Sequence, residues 1–281
     1  MKLISFSIGS RKSCGLWVKG GVIDLQKHLG QQASDLKSLI ANGLLDAALH
    51  HIDAPVDYDE ADISFLPLIG APNKIICVGM NYTDKRREFE QTNEAPTLFI
   101  RFPDSQTGHG CALVKPSQSE AFDYEGELAL VIGKGGSCIP AARAYEHIAG
   151  YSCHMDGSVR DWQHSWFTAG KNWRQTGAFG PCLVTADEIP DPHALSLTTT
   201  LNGRIVQKDN TGNMVHKIPE LIEYISTFSE LSPGDVIITG SPGDAGQKCN
   251  PPLFLKADDV IEVEIEKVGR LRNVVVCSVA A

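Results

Sequence analysis

Glu125 and Glu127 in the segment Asp123-Tyr-Glu-Gly-Glu-Leu-Ala-Leu-Val-Ile-Gly133, with Asp156 in Met155-Asp-Gly-Ser-Val-Arg-Asp-Trp-Gln163, have the residue types and spacing of an oxygen cage for a divalent cation. Glu127 opens an apolar run, Leu128 to Ile132, that reads as a strand, and residues two apart on a strand point to the same face. Two carboxylates held side by side repel unless a cation or a proton lies between them. Carboxylate ligands with neither thiolate nor a histidine cluster suit a hard ion, Mg²⁺ first, with Mn²⁺ or Ca²⁺ as alternatives. The plainer reading is that the glutamates line the solvated face of an antiparallel strand. The Glu-x-Glu pattern alone leaves both open.

The whole chain narrows the classes of function. Its 281 residues suffice for one large domain, or a large one with a small appendage, and for a substantial core. With 25 basic against 34 acidic residues the net charge is −9, which argues against nucleic-acid or general membrane-surface binding, so an anionic substrate must be attracted by a local site. No apolar run approaches the roughly 20 residues that span a bilayer, and the start Met1-Lys-Leu-Ile-Ser-Phe-Ser7 lacks a signal-type apolar region. A cytoplasmic protein is expected. The 8 cysteines form no Cys-x-x-Cys pair, so neither a zinc ribbon nor a disulfide scaffold is indicated.

Residues 1–70 read as a small unit of their own, with strands over residues 3–8 and 15–23 and a helical stretch over 34–49. The acidic, proline-containing segment 53–62 reads as a linker to a second unit, residues 71–281. Strand patterns dominate that unit, over residues 75–80, 97–102, 127–132, 148–154, 181–185 and 236–239. Asn202-Gly203 between two apolar-polar runs is a hairpin signal, and residues 218–228 carry a long helical pattern, with Leu221, Ile222 and Ile225 on one face. Many strands with few helices predict an α+β, mainly β, rolled or sandwiched architecture over a doubly wound sheet.

Taken together, the motifs resemble the fumarylacetoacetate hydrolase family over residues 73–276. The pieces stand in family order: Ile75-Ile-Cys-Val-Gly-Met-Asn-Tyr82, Phe122-Asp-Tyr-Glu-Gly-Glu-Leu128, Asp156-Gly-Ser-Val-Arg-Asp-Trp-Gln163, Gly170-Lys171, Gly180-Pro181, Asn202-Gly203, Leu231-Ser-Pro-Gly-Asp-Val-Ile237 and Thr239-Gly-Ser-Pro242. The resemblance implies a mixed β-sandwich roll with a small N-terminal α/β domain, a homodimer and a Mg²⁺-type site. It also implies hydrolytic cleavage of a carbon–carbon bond in a small 2-oxo acid such as an acylpyruvate. Glu125, Glu127 and Asp156 would then be the metal ligands. Lys171 and Gln163 would line the pocket, balancing charge and orienting water. Tyr82, Arg101 and the turn Thr239-Gly240-Ser241 would hold the anionic substrate.

One departure from the family pattern bears on the reaction. The family's hydrolases follow Asn-Tyr with a histidine three positions on and a glutamate three beyond it, a water-activating dyad on a mobile lid helix. Here Glu88 is present, but Lys85 stands in the histidine position. A histidine exchanges protons near neutral pH, whereas a lysine must have its pKa lowered by several units before it acts as a base. Several outcomes follow: Lys85 is an unusual base, Glu88 works alone, or Lys85 with Arg86 and Arg87 binds an extra substrate carboxylate. In another, water activation is lost and the site supports decarboxylation or keto–enol isomerisation of a 2-oxo dicarboxylic acid. A binding protein that keeps the cage without chemistry is the rival class. His109 and His154 are secondary candidates for the missing imidazole, each read first as a structural residue.

Overall fold

A computed structural model describes residues 1–164 and 166–278. The chain opens with three strands, β1 (Lys2–Ile8), β2 (Arg11–Val18) and β3 (Gly21–Asp24). The single strand expected over residues 15–23 is cut in two because Gly20 adopts φ +102° in the turn between β2 and β3. After α1 (Leu25–Leu29), the helical stretch expected over 34–49 is also two pieces, α2 (Leu36–Ala41) and α3 (Leu45–Leu49). Gly43, at φ +67°, lies in the break between them; a left-handed residue just past a helix is a common way for it to end. The acidic segment is not a free linker. Its Asp57 and Tyr58 pair with the backbone of Val22, and the Asp57 carboxylate accepts from Asp24 N at 2.8 Å and from Lys27 Nζ at 2.7 Å. A short strand, β4 (Ser64–Phe65), follows it.

The middle of the chain supplies β5 (Ile75–Gly79), α4 (Thr83–Glu88), β6 (Thr97–Ile100), β7 (Gln106–Thr107), β8 (Ala112–Lys115), β9 (Phe122–Asp123) and β10 (Gly126–Ile132). Then come β11 (Ile148–Met155), β12 (Ser158–Val159), α5 (Phe167–Lys171) and β13 (Gly177–Thr185). The last third holds β14 (Ser196–Leu201), β15 (Arg204–Asn210), α6 (Ile218–Phe228), β16 (Val236–Ile238), β17 (Val260–Ile265) and β18 (Gly269–Cys277). The turn between β14 and β15 has Asn202 at φ +52° and Gly203 at φ +78°, the paired positive φ that a two-residue hairpin of this hand requires. In α6, Ile218, Leu221, Ile222 and Ile225 are buried, and the Glu220 side chain accepts from Lys217 N at 3.2 Å at the first turn.

The strands form a large sheet in the order β3-β2-β1-β13-β11-β10-β16-β5-β6, with β4 on β1 and β7 on β13, and a second, 5-stranded sheet in the order β15-β14-β17-β18-β8. This is the mainly β sandwich roll that the strand pattern predicts. Residues 1–70 are joined to it by long-range pairing, since Leu3 of β1 lies opposite Leu183 of β13. Strand β10 is apolar from Leu128 to Ile132 because both its faces are covered. Leu128 and Leu130 pack in the core with Leu197, Val263 and Leu271 of the second sheet. Ala129 and Val131 face the other way, in a core shared with Leu25, Leu36 and Leu39 of the N-terminal helices. Glu127 continues that alternation at the strand's beginning, and β11 ends at Met155, just before Asp156. The adjoining ends of two interior strands, the start of β10 and the end of β11, thereby bring the acidic residues to one place. Among the described residues no helix is long and apolar enough to cross a membrane.

Candidate metal centre

Carboxylate oxygens of Glu125, Glu127 and Asp156 lie within 4.8 Å of one another, and all three side chains are buried. Backbone pairing sets the spacing: Asp156 N donates to Glu125 O at 2.8 Å where β10 and β11 run antiparallel. Glu127 is fixed from a third direction by Gly240 N, which donates to its Oε2 at 2.6 Å. Gly240 has φ +99°, and a Cβ there would fall 2.7 Å from the Asn81 Cβ, so only glycine lets the backbone approach the carboxylate this closely.

Cations surround the acids. Glu125 Oε1 accepts from Lys85 Nζ at 2.8 Å and from the Arg160 guanidinium at 2.9 Å, and its Oε2 accepts from Lys171 Nζ at 2.5 Å. Lys171 also donates to Asp156 Oδ2 at 2.7 Å and to the Ser158 hydroxyl at 2.6 Å. Asp156 Oδ1 is held by Arg101, which also reaches Gly157 O at 3.0 Å and the Thr176 hydroxyl at 2.9 Å. Arg160 bridges to Asp123 at 2.8 Å, and Asp123 in turn accepts from Gly246 N at 2.9 Å. The result is a buried cluster of four carboxyls, Asp123, Glu125, Glu127 and Asp156, among the cations Lys85, Arg101, Arg160 and Lys171, which pair with each of the acids except Glu127.

The electrostatics divide the carboxyls. Burial by itself pushes Glu125 up, but Arg160, Lys171 and Lys85 outweigh it and hold the group well below its ordinary value. Asp156 is likewise lowered by Lys171 and Arg101 against the opposing effect of burial. Glu127 has no such partner: burial first, then the facing Asp156 and Glu125, raise it well above its ordinary value. Burial pulls Lys171 down, yet Asp156 and Glu125 more than compensate, and it stays a cation. A buried carboxyl raised by two facing carboxylates is the arrangement that a hard divalent cation relieves. The all-oxygen donor set fits such an ion.

A small cavity beside the cage, about 20 Å³, is lined by Lys85, Glu125, Glu127, Arg160, Lys171 and Ser241, with Gln163 and the apolar Met80, Phe99 and Phe167 around them. The structure thus brings Lys85, Lys171, Gln163, Gly240 and Ser241 to the three acids. The other sequence-predicted residues do not line the cavity. Arg101 is buried behind Asp156 with its donors turned to protein atoms, because Asp156, Thr176 and Ser105 surround its guanidinium. The Thr239 hydroxyl donates to Leu128 O at 2.8 Å, tying β16 to β10, and the Tyr82 hydroxyl is buried without a partner among the described residues. Glu88, on α4 with Lys85, does not reach the cage: its Oε1 accepts from Asp244 N at 2.6 Å. His109 accepts from Arg272 N at 3.1 Å and lies edge-on to Phe65. His154 bonds Gln106 Oε1 at 2.8 Å. Sequence reasoning assigned no role to Arg160 or Ser158, although both lie inside the Asp156 motif; a cation four residues after a ligand was the available signal.

Burial holds His154 at about 3, far below its ordinary 6.5, so the folded protein keeps this imidazole neutral. The unfolded chain takes up a proton below about 6.5 and the folded one does not, so stability falls with decreasing pH from there towards the folded value. At pH 5 the loss from this residue is expected to be about 2 kcal/mol relative to pH 7.5. Urea unfolding of the wild type and of His154→Asn at both pH values measures it: the drop should be smaller in the variant by that amount. Equal drops would show that His154 does not contribute.

Comparison with known proteins identifies the family. Residues 74–276 match the family described as Fumarylacetoacetate (FAA) hydrolase C-terminal. Among curated relatives, the Bos taurus protein named oxaloacetate tautomerase FAHD2A, mitochondrial, is 40% identical over 270 residues, covering 92% of this chain and 84% of that protein. Among solved structures, a putative HpcE protein from Mycobacterium smegmatis superposes with a TM-score of 0.89 at 32% identity, covering 99% of this chain and 100% of that one. Maleylpyruvate hydrolase from Sphingobium sp. SYK-6, in complex with manganese(II) and pyruvate, superposes with a TM-score of 0.83 at 26% identity over 99% of this chain and 100% of that one. The fold, the acid cage and the matched span place this chain in the fumarylacetoacetate hydrolase family.

Proposed function

We propose that the protein is a divalent-metal-dependent keto–enol tautomerase of a short 2-oxo dicarboxylic acid, with oxaloacetate as the type of substrate. The observation that carries this reading is the divided lid. Lys85 enters the cage and Glu88 is held by the loop beyond it, so the two lid positions that a water-activating dyad needs do not meet at the acids. The similarity to a protein named as an oxaloacetate tautomerase supports the same reading.

Charge matching supports a dianionic substrate. With Glu127 ionised beside the ion, four carboxylates face four cations, so the charge of a divalent ion is what a dicarboxylate balances. Glu125, Glu127 and Asp156 would hold the ion, which would supply Lewis acidity to the 2-oxo group. The rest is done by this chain. Lys85 Nζ, directed into the cavity from α4, gives a proton to C3 of the enol form while the enol O–H proton is lost to solvent, and Lys85 then regains a proton from solvent, so the cycle closes. A C–H bond forms, an O–H bond breaks and the carbonyl is restored, so no carbon–carbon bond is cut and mass is conserved. Lys171 stabilises negative charge on the substrate, and Met80, Phe99 and Phe167 keep the apolar side of the cavity dry.

The test is to follow the ultraviolet absorbance of enol-oxaloacetate with protein and Mg²⁺ or Mn²⁺, and to analyse products by mass spectrometry. Enol decay faster than the uncatalysed rate without pyruvate or CO₂ is the expected result. Cleavage of an acylpyruvate into two acids, with no effect on enol decay, would return the protein to the hydrolytic reading, which the likeness to maleylpyruvate hydrolase favours.

A further inference from the structure

We propose that Glu88 is a positioning residue, a latch that holds α4 closed so that Lys85 stays in the cage, and that it takes no proton in the reaction. The inference deepens the tautomerase reading and rests on it for its kinetic arm. It starts from the loop that follows β16. The second amide of that loop, Gly240 N, donates to Glu127 at 2.6 Å, and four residues on Asp244 N donates to Glu88 Oε1 at 2.6 Å. Between them, Ser241 lines the cavity, while Pro242 O and Gly243 O accept from the Gln207 amide at 3.3 and 3.0 Å. Gln207 Oε1 in turn accepts from Gly126 N, between the two cage glutamates, at 2.9 Å. The loop is therefore tied to the cage at its base and grips the lid at its tip.

The fit at the tip is close. A Cβ on Gly243 would lie 2.8 Å from Glu88 Oε1 and 3.4 Å from the Asp84 Cβ, so glycine makes room for the lid carboxylate. The adjoining Phe89 ring lies 4.3 Å from Lys248 Nζ and 5.2 Å from Lys85 Nζ, a second contact between lid and loop. Lys85 is one turn before Glu88 on the same short helix, and it is 2% exposed. Releasing Glu88 frees the helix that carries Lys85.

A latch and a base respond differently to substitution. Glu88→Gln keeps an oxygen that accepts from Asp244 N but cannot take a proton at neutral pH; Glu88→Ala loses both. Gly243→Ala alters no ionisable group and pushes the carboxylate off the amide. The latch predicts that Glu88→Gln keeps a kcat near wild type, whereas Glu88→Ala and Gly243→Ala lose about tenfold through one charge-assisted hydrogen bond. A second readout needs no turnover. Lys85, Arg86 and Arg87 are trypsin sites within α4. Cleavage there, mapped by mass spectrometry on the native protein, should be about tenfold faster in Glu88→Ala and Gly243→Ala than in wild type and Glu88→Gln. Equal cleavage rates in all four proteins would overturn the latch. So would a Glu88→Gln variant as inactive as Glu88→Ala, which would make Glu88 a base. Wild-type protein with no tautomerase activity but this cleavage pattern would retain the latch and remove the tautomerase reading alone.

Discussion

Glu125→Gln is expected to weaken Mn²⁺ binding by more than about 100-fold, beyond the roughly 10–100-fold that loss of an outer-shell partner alone costs. Glu125 sits at the centre of the cluster: it is the acid that Lys85, Arg160 and Lys171 all contact. Glutamine keeps the shape and one acceptor oxygen but removes the charge, leaving those cations to face one another and the incoming ion. Calorimetry of Mn²⁺ binding measures the loss, with near-ultraviolet circular dichroism as the check on folding. Unchanged affinity would show that the ion is held elsewhere. The wild type should also show a pH dependence of fixed sign. Burial, together with Asp156 and Glu125, holds Glu127 well above its ordinary value, so protons compete with the cation for this carboxylate. Affinity therefore rises with pH through the range in which Glu127 titrates, and binding releases protons into the buffer.

The second large effect concerns Lys85. Lys85→Met retains an apolar stem of similar length and removes the proton donor, and it is expected to lower catalysed enol decay by about 10²–10⁴-fold, the range that general acid–base groups contribute. Glu125, Glu127 and Asp156 are all unchanged in the variant, so its Mn²⁺ affinity is expected to stay within a few-fold of wild type. That separates the two variants: one fails at binding the ion, the other at moving the proton. If Lys85→Met keeps wild-type turnover, the proton at C3 comes from another group and the proposed role of the lid is wrong.

The extent to which the sequence forecasts this arrangement follows from how far apart the partners lie along the chain. Glu127 and the β10 strand were legible because the apolar run is local and both faces are buried. Asp156 was legible from its motif, and the Asn202-Gly203 hairpin from turn chemistry. The contacts that position the site are long-range. Arg101 meets Asp156 across 55 positions, Lys85 meets Glu125 across 40, and Asp244 meets Glu88 across 156. Spacing along a helix puts Lys85 and Glu88 on neighbouring positions of α4 and therefore suggests a pair acting together. Only the path of the 240–244 loop shows that one faces the acids and the other the loop tip. The expected linker at 53–62 failed for the same reason, since acidic, proline-containing composition does not reveal the pairing with Val22.

The matched ring of acids and bases also limits how relatives of this protein can diverge. Changing the sign of one member strands an unpaired charge in a dry interior, at a cost of several kcal/mol. Exchanges that preserve neutrality, such as losing Arg160 together with Asp123, are far cheaper. Drift at these positions should therefore come as compensated couples, and an alignment of related chains would show Asp123 with Arg160, and Arg101 with Asp156, varying in step or not at all.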